Sequence, residues 1–175
     1  MTPTEHVILV DEKDQEIGIA EKIQAHRDNL RHRAFSIFIL RKQPKLEILL
    51  QKRAAGKYHS AGLWTNTCCS HPRPGEDILA AANRRLFEEM GIHATLKSIG
   101  WFHYIAPFPN GLTENENDHV LVGELEQDNF TTNPDEVQDI RWITLAELND
   151  AIAENPTHFT PWLKPALLLL EKNII

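Results

Sequence analysis

Residues 70–92 read Ser-His-Pro-Arg-Pro-Gly-Glu-Asp-Ile-Leu-Ala-Ala-Ala-Asn-Arg-Arg-Leu-Phe-Glu-Glu-Met-Gly-Ile. Ile78/Leu79, Ala82, Leu86 and Met90 recur about once per helical turn, which predicts an amphipathic helix from Asp77 to Met90. Gly91 follows at the C′ position, where a left-handed residue ends a helix. Arg84 and Glu88 stand one turn apart, as do Arg85 and Glu89, so the plain reading is salt-bridged pairs on the helix surface. The sharper reading is a carboxylate-lined helix facing a cleft, suited to Mg²⁺ bridging phosphate oxygens.

Around this segment, short runs of branched and aromatic residues predict strands at His6–Val10, Ala34–Leu40, Leu46–Gln51, Trp101–Ile105, Val120–Glu124 and Ile140–Ile143. The second and third flank Arg41–Lys45, where Pro44 suits the turn of a hairpin. Thr144 precedes Glu147 in capping-box spacing, predicting a short helix from Thr144 through Ala153. Trp162 to Lys172 makes a last, strongly apolar helix. No repeat or linker divides the 175 residues, so the expectation is one α+β domain, a mixed sheet packed against helices.

Composition narrows the function. With 42% apolar residues the chain can bury a real core, which excludes disorder and fibrous architecture. Eighteen Lys and Arg against 25 Asp and Glu give a net charge of −7, a surface that repels phosphate polymers at long range. No nucleic-acid partner is expected, and an anionic small molecule would need a local basic or metal-lined pocket. The two cysteines, Cys68 and Cys69, are sequence neighbours and poorly placed for a structural disulfide. The chain opens without a basic start and apolar run, and its longest aliphatic stretch, Ala166 to Leu170, is too short to span a bilayer. A cytoplasmic, reducing setting and a monomer away from membranes are the expectation.

Candidate chemistry falls in separated segments. The chain has nine histidines. Among them, His26 and His32 lie in a polar stretch, His71 follows Cys69 by two, and Glu114-Asn115-Glu116 places two carboxylates on one side of an extended segment. Imidazoles with carboxylates can form an N/O site for Zn²⁺, Mn²⁺ or Fe²⁺; with the three segments far apart in sequence, spacing alone favours solvated, unrelated surface groups. Cys68 and Cys69 would face opposite ways on a strand, so at most one serves a given site.

Trp64-Thr-Asn-Thr-Cys-Cys69-Ser-His71-Pro72, Glu88-Glu89-Met-Gly91 and Glu114-Asn115-Glu116 together resemble the type 1 isopentenyl-diphosphate delta-isomerase family, over about Glu5 to Trp162. The resemblance implies a Nudix-type mixed β-sheet sandwiched by helices, with the Nudix core over about residues 32–155 and the Nudix box over 70–92. In that box Glu76, Arg84, Leu86, Glu88, Glu89, Gly91 and Ile92 hold their expected places. Ser70 replaces the opening Gly, and Arg85 replaces the Glu after the Arg. Exchanging a carboxylate for a guanidinium favours gripping a diphosphate over gathering cations, which argues against diphosphate hydrolysis.

Residue by residue, the resemblance assigns His26, His32, His71, Glu114 and Glu116 to one centre holding Mn²⁺ or Zn²⁺, and Glu89 to a second where Mg²⁺ also binds the substrate's diphosphate. It assigns Lys22, Lys57 and Arg85, with Lys52, to a basic diphosphate clamp. The implied reaction interconverts isopentenyl and dimethylallyl diphosphate by protonation and deprotonation through a carbocation. On this resemblance the proton work is assigned to Cys69 and Glu116, on opposite faces of the substrate. The order is open on the residues alone, and Glu116 with help from Tyr104 is preferred as first donor. Trp162 would cover the hydrocarbon. The rival classes are a Nudix diphosphohydrolase, a structural zinc module and a cysteine hydrolase.

Overall fold

The computed structural model describes residues 3–125 and 129–174. In chain order come β1 (His6–Val10), β2 (Glu16–Glu21), α1 (Lys22–Arg27), β3 (His32–Arg41), β4 (Glu47–Arg53), β5 (Trp64–Thr65) and β6 (Cys68–Ser70). Then follow α2 (Ile78–Met90), β7 (Lys97–Pro107), β8 (Thr113–Glu124), β9 (Val137–Ile143), α3 (Leu145–Glu154), a 3₁₀ turn (Pro156–His158) and α4 (Leu163–Ile174). The described strands join one mixed sheet. β3 is its axis. One edge pairs in parallel with β8 from His32↔Glu116 to Leu40↔Glu124, and the other meets β1, β6 and β4 in turn.

Side-chain alternation along β3 divides the core in two. Phe35, Ile37 and Ile39 pack with Ala81, Ala82, Leu86 and Met90 of α2. Phe38 and Leu40 pack on the other face with Leu148 and Ile152 of α3 and Leu163, Ala166, Leu167 and Leu170 of α4. The helices thus cover both faces, because each presents one apolar stripe to a strand surface of period two.

Caps fix the helix ends where the sequence predicts them. The Asp77 carboxylate accepts from the Leu79 and Ala80 amides, and Gly91 takes φ 68°. Thr144 and Glu147 form both halves of the capping box. Three elements differ from expectation and shape the site. The segment Glu16–Glu21, for which no element is predicted, is β2; the polar stretch carrying His26 is α1; and the strand expected from Val120 begins seven residues earlier, at Thr113. That extension carries Glu114 and Glu116 into the sheet.

Candidate active site

Even-numbered residues of β8 face the α4 side, so Glu114, Glu116 and Asp118 line up ahead of core residue Val120. Cys69 pairs with Ser36, whose hydroxyl donates to Asp118 Oδ2 at 2.7 Å. Cys69 and Glu116 therefore come from strands on opposite edges of β3 and open into the same cavity, of about 920 Å³.

Five side chains converge at one end. His26 from α1, His32 from the start of β3, His71 after β6, and Glu114 and Glu116 offer ligand atoms within 4.8 Å of one another. His26 Nδ1 lies 2.6 Å from the Lys22 carbonyl and His32 Nδ1 2.9 Å from that of Leu30. Because a carbonyl only accepts, each Nδ1 carries the hydrogen, and each Nε2 is turned inward as metal-binding imidazoles are. His26 Nε2 lies 3.2 Å from Glu114 Oε1; His32 and His71 Nε2 lie 3.1 and 2.6 Å from Glu116 Oε2.

These groups are nearly closed to solvent: Glu114 is 2% and Glu116 5% exposed. Burial raises Glu116, but its contacts with the His32 and His71 imidazoles outweigh it and hold the carboxyl well below its usual range. Burial drives His71 down to about 4 despite Glu116. Oε2 of Glu114 has no hydrogen-bond partner among the described residues. Two buried carboxylates, three inward imidazole nitrogens and one unsatisfied oxygen are a donor set that fits a divalent cation.

The neighbouring walls hold the other groups. Tyr104 of β7, paired with Glu116, donates its hydroxyl to Glu116 Oε1. Burial, then the charge of Glu116, pushes the Tyr104 phenol well above its ordinary value, so it is a neutral donor. Burial pushes the Cys69 thiol up to about 12 despite nearby Arg53. Cys68 lies wholly within the α2 core, as strand alternation requires. Trp162, just before α4, is 3% exposed and donates to Asn66 Oδ1 at 3.2 Å.

At the basic end, Lys22 reaches Glu5 at 2.7 Å, Lys57 pairs with Glu136, and Arg85 reaches Glu88 and Glu89, both at 2.6 Å. All three cations line the cavity, as does Glu89, whose other oxygen accepts from Gln51 at 3.0 Å. The helix pairs read as surface salt bridges do form, and Arg84–Glu88 is one of them, at 3.4 Å.

Lys52 corrects the clamp expected from sequence. It sits on β4 opposite Trp64 and Asp139, 5.9 Å over the Trp64 ring, and does not line the cavity. The adjacent Arg53 does: it donates to the His59 carbonyl at 3.1 Å and to Cys69 Sγ at 3.7 Å. One step along a strand exchanges faces, and only paired strands reveal which face is which. His59 was missed as well. Its Nε2 pairs with Glu114, and its ring stacks on Phe108 at 4.7 Å. No spacing in Lys57-Tyr-His-Ser60 singles it out.

Comparison with known proteins defines the class first. Residues 30–163 match the NUDIX domain family. The fold resembles DR0079 from Deinococcus radiodurans (TM-score 0.75, 18% identity, 95% of this chain and 98% of that one) and a C. elegans Ap4A hydrolase (TM-score 0.59, 22% identity, 81% and 96%). This is a Nudix domain.

Within that class the sequence relatives are specific. The chain is 52% identical over 163 residues to isopentenyl-diphosphate Delta-isomerase 1 of Aromatoleum aromaticum (93% of this chain, 90% of the relative). It is 49% identical over 160 residues to isopentenyl-diphosphate Delta-isomerase 2 of Photorhabdus laumondii (91% and 89%). The chain belongs to the isopentenyl-diphosphate Delta-isomerase family.

Proposed function

We propose that the protein catalyses the reversible shift of a carbon–carbon double bond that converts isopentenyl diphosphate into dimethylallyl diphosphate. The observation that carries this reading is one cavity with a thiol and a hydrogen-bonded carboxylate on its two sides, an indole on its wall and cations at its far end. An alkene is a feeble base, so its terminal carbon takes up a proton only from a held acid in a site that excludes water.

In the forward direction Glu116 enters protonated, its carboxyl O–H breaks to deliver that proton, and the Tyr104 hydroxyl donates to the carboxylate that remains. The double-bond electrons form the new C–H bond and leave a tertiary carbocation. Cys69, as thiolate, removes a proton from the carbon on the diphosphate side, and the C–H electrons close the new double bond. A neutral thiol facing a charged Glu116 is then the form left by a forward turnover and ready for the reverse one. Proton exchange with solvent resets it.

Trp162 offers its ring to the carbocation, a contribution of about 2 kcal/mol when desolvated, or roughly 30-fold in rate. Lys22, Arg53, Lys57 and Arg85 hold the diphosphate, Arg85 in place of the carboxylate a hydrolase would use. His26, His32, His71, Glu114 and Glu116 would hold Mn²⁺ or Zn²⁺, whose charge would offset that of the paired glutamates. Glu89 would help hold Mg²⁺, which would offset charge on the diphosphate. The substrate on this reading is a small isoprenyl diphosphate.

Incubation of the metal-loaded protein with isopentenyl diphosphate, followed by proton NMR and an orthophosphate assay, tests the reading. Dimethylallyl diphosphate without phosphate release is expected. Phosphate release with no isomer would make the protein a hydrolase.

A further inference from the structure

Glu136 stands just before β9, and its main chain is pinned. The Ala54 amide donates to the Glu136 carbonyl at 3.0 Å, the Glu136 amide donates to the Asn133 carbonyl at 3.0 Å, and the Asn133 amide donates to the Glu89 carbonyl at the end of α2 at 2.8 Å. A fixed corner therefore delivers this side chain to the cavity wall.

Its carboxylate bridges two cations. Oε2 pairs with Lys57 Nζ, and Oε1 lies 3.2 Å from Arg85 Nη2. Burial raises Glu136, but Lys57 and then Arg85 hold it below the usual carboxylate range, so it is charged at neutral pH. An oxyanion joining an ammonium to a guanidinium is the arrangement a phosphate group would make with the same pair. Glu88 and Glu89 also face Arg85 at 2.6 Å, so this cation needs no further anion in the free protein.

We infer that Glu136 is a built-in competitor of the substrate, occupying Lys57 and Arg85 until a diphosphate displaces it, and thereby sets the affinity of the basic end. The inference rests on reading Lys57 and Arg85 as the diphosphate-binding cations. It differs in sign from the plain alternatives. A residue that merely positions the two cations, or that helps to hold Mg²⁺ beside the diphosphate, would weaken binding when lost; a competitor strengthens it. Both pairs are partly exposed, with side chains of Lys57, Arg85 and Glu136 at 15%, 17% and 23%, so the effect is that of a screened ion pair or two.

Isothermal titration of the metal-loaded protein with inorganic diphosphate and Mg²⁺ separates these outcomes. Glu136→Gln keeps shape and loses charge, and Glu136→Ala frees Lys57 and takes one of three carboxylates from Arg85; the pinned main chain should let both fold, which circular dichroism melting checks. The dissociation constant is expected to fall about three- to tenfold in both variants, and KM for isopentenyl diphosphate to fall with it. Unchanged or weaker binding in the folded variants would overturn the inference. Arg85→Met in the same titration tests the reading beneath it: binding should weaken at least about tenfold, the scale of losing a charge-assisted hydrogen bond. Undiminished binding there would remove the basic end itself, whatever Glu136 does.

Discussion

At the residue scale the site depends on which way single side chains point. Cys68 and Cys69 are chemically identical, yet one is sealed against α2 and the other faces Arg53 and the cavity. Cys69→Ser is expected to lower turnover by at least about 10²-fold, the scale of a positioned acid or base. Cys68→Ala should keep most activity and lose about 1 kcal/mol of stability as a small core change; initial rates and urea unfolding measure the two. Equal loss of activity in both would contradict the assignment of faces. The same logic separates Lys52 from Arg53. Lys52→Ala should leave KM within about twofold, as for most surface changes, whereas Arg53→Gln should lower kcat/KM about tenfold or more, the loss of a charged hydrogen-bond donor. The sequence offers two adjacent basic residues with nothing to rank them, because the choice depends on the pairing of β4 with β5 and β9.

At the element scale the legible parts were those with local signals. α2 was readable because its stripe and its terminal glycine agree, and the Asp77 cap holds its start. Gly91 is required twice over: its φ is +68°, and an added Cβ would lie 2.4 Å from the Thr131 carbonyl oxygen. Gly91→Ala is therefore expected to cost about 1–3 kcal/mol, the range for a non-glycine residue held in an unfavoured backbone region. Urea denaturation measures it, and a loss below a few tenths would show that the turn relaxes freely. β2 and the first half of β8 were hidden for opposite reasons. Ile17 and Ile19 of β2 are 67% and 55% exposed, so no buried stripe marks that strand. Thr113–Asp118 reads as a charged loop because its buried face is built from Glu114, Glu116 and Asp118 in place of aliphatics. Local propensity fails at such segments because function has replaced packing. α1, a six-residue helix capped by the Glu21 side chain, is too short to announce itself, yet it delivers both Lys22 and His26.

At the scale of the whole molecule, the cavity joins parts far apart in sequence. The His26–Glu114 and His32–Glu116 contacts span 88 and 84 residues, so the cluster exists only when α1, β3 and β8 are assembled. A cation bound there stabilises the folded state over the unfolded chain. Chelation followed by dialysis should lower the melting temperature by several degrees, the size expected for about 1–3 kcal/mol in a chain of this length, and abolish turnover. Mn²⁺ or Zn²⁺, with Mg²⁺, should restore both; an unchanged melting temperature and rate in metal-free protein would contradict a bound centre. Family and fold were legible because three separated motifs keep their order along the chain. The resemblance names His26, His32, His71, Glu114 and Glu116 for one centre; that His59 joins them needed the folded sheet.

The most direct test of the central claim follows deuterium through the reaction. The intact protein, run to equilibrium with isopentenyl diphosphate in heavy water, should place label in the new methyl of dimethylallyl diphosphate and, by reversal, on the carbon that Cys69 deprotonates in recovered isopentenyl diphosphate. Glu116→Gln and Cys69→Ser, each still folded, should place label at neither position. Label entering both positions at the normal rate in either variant would contradict a proton pair working from the two sides of one cavity.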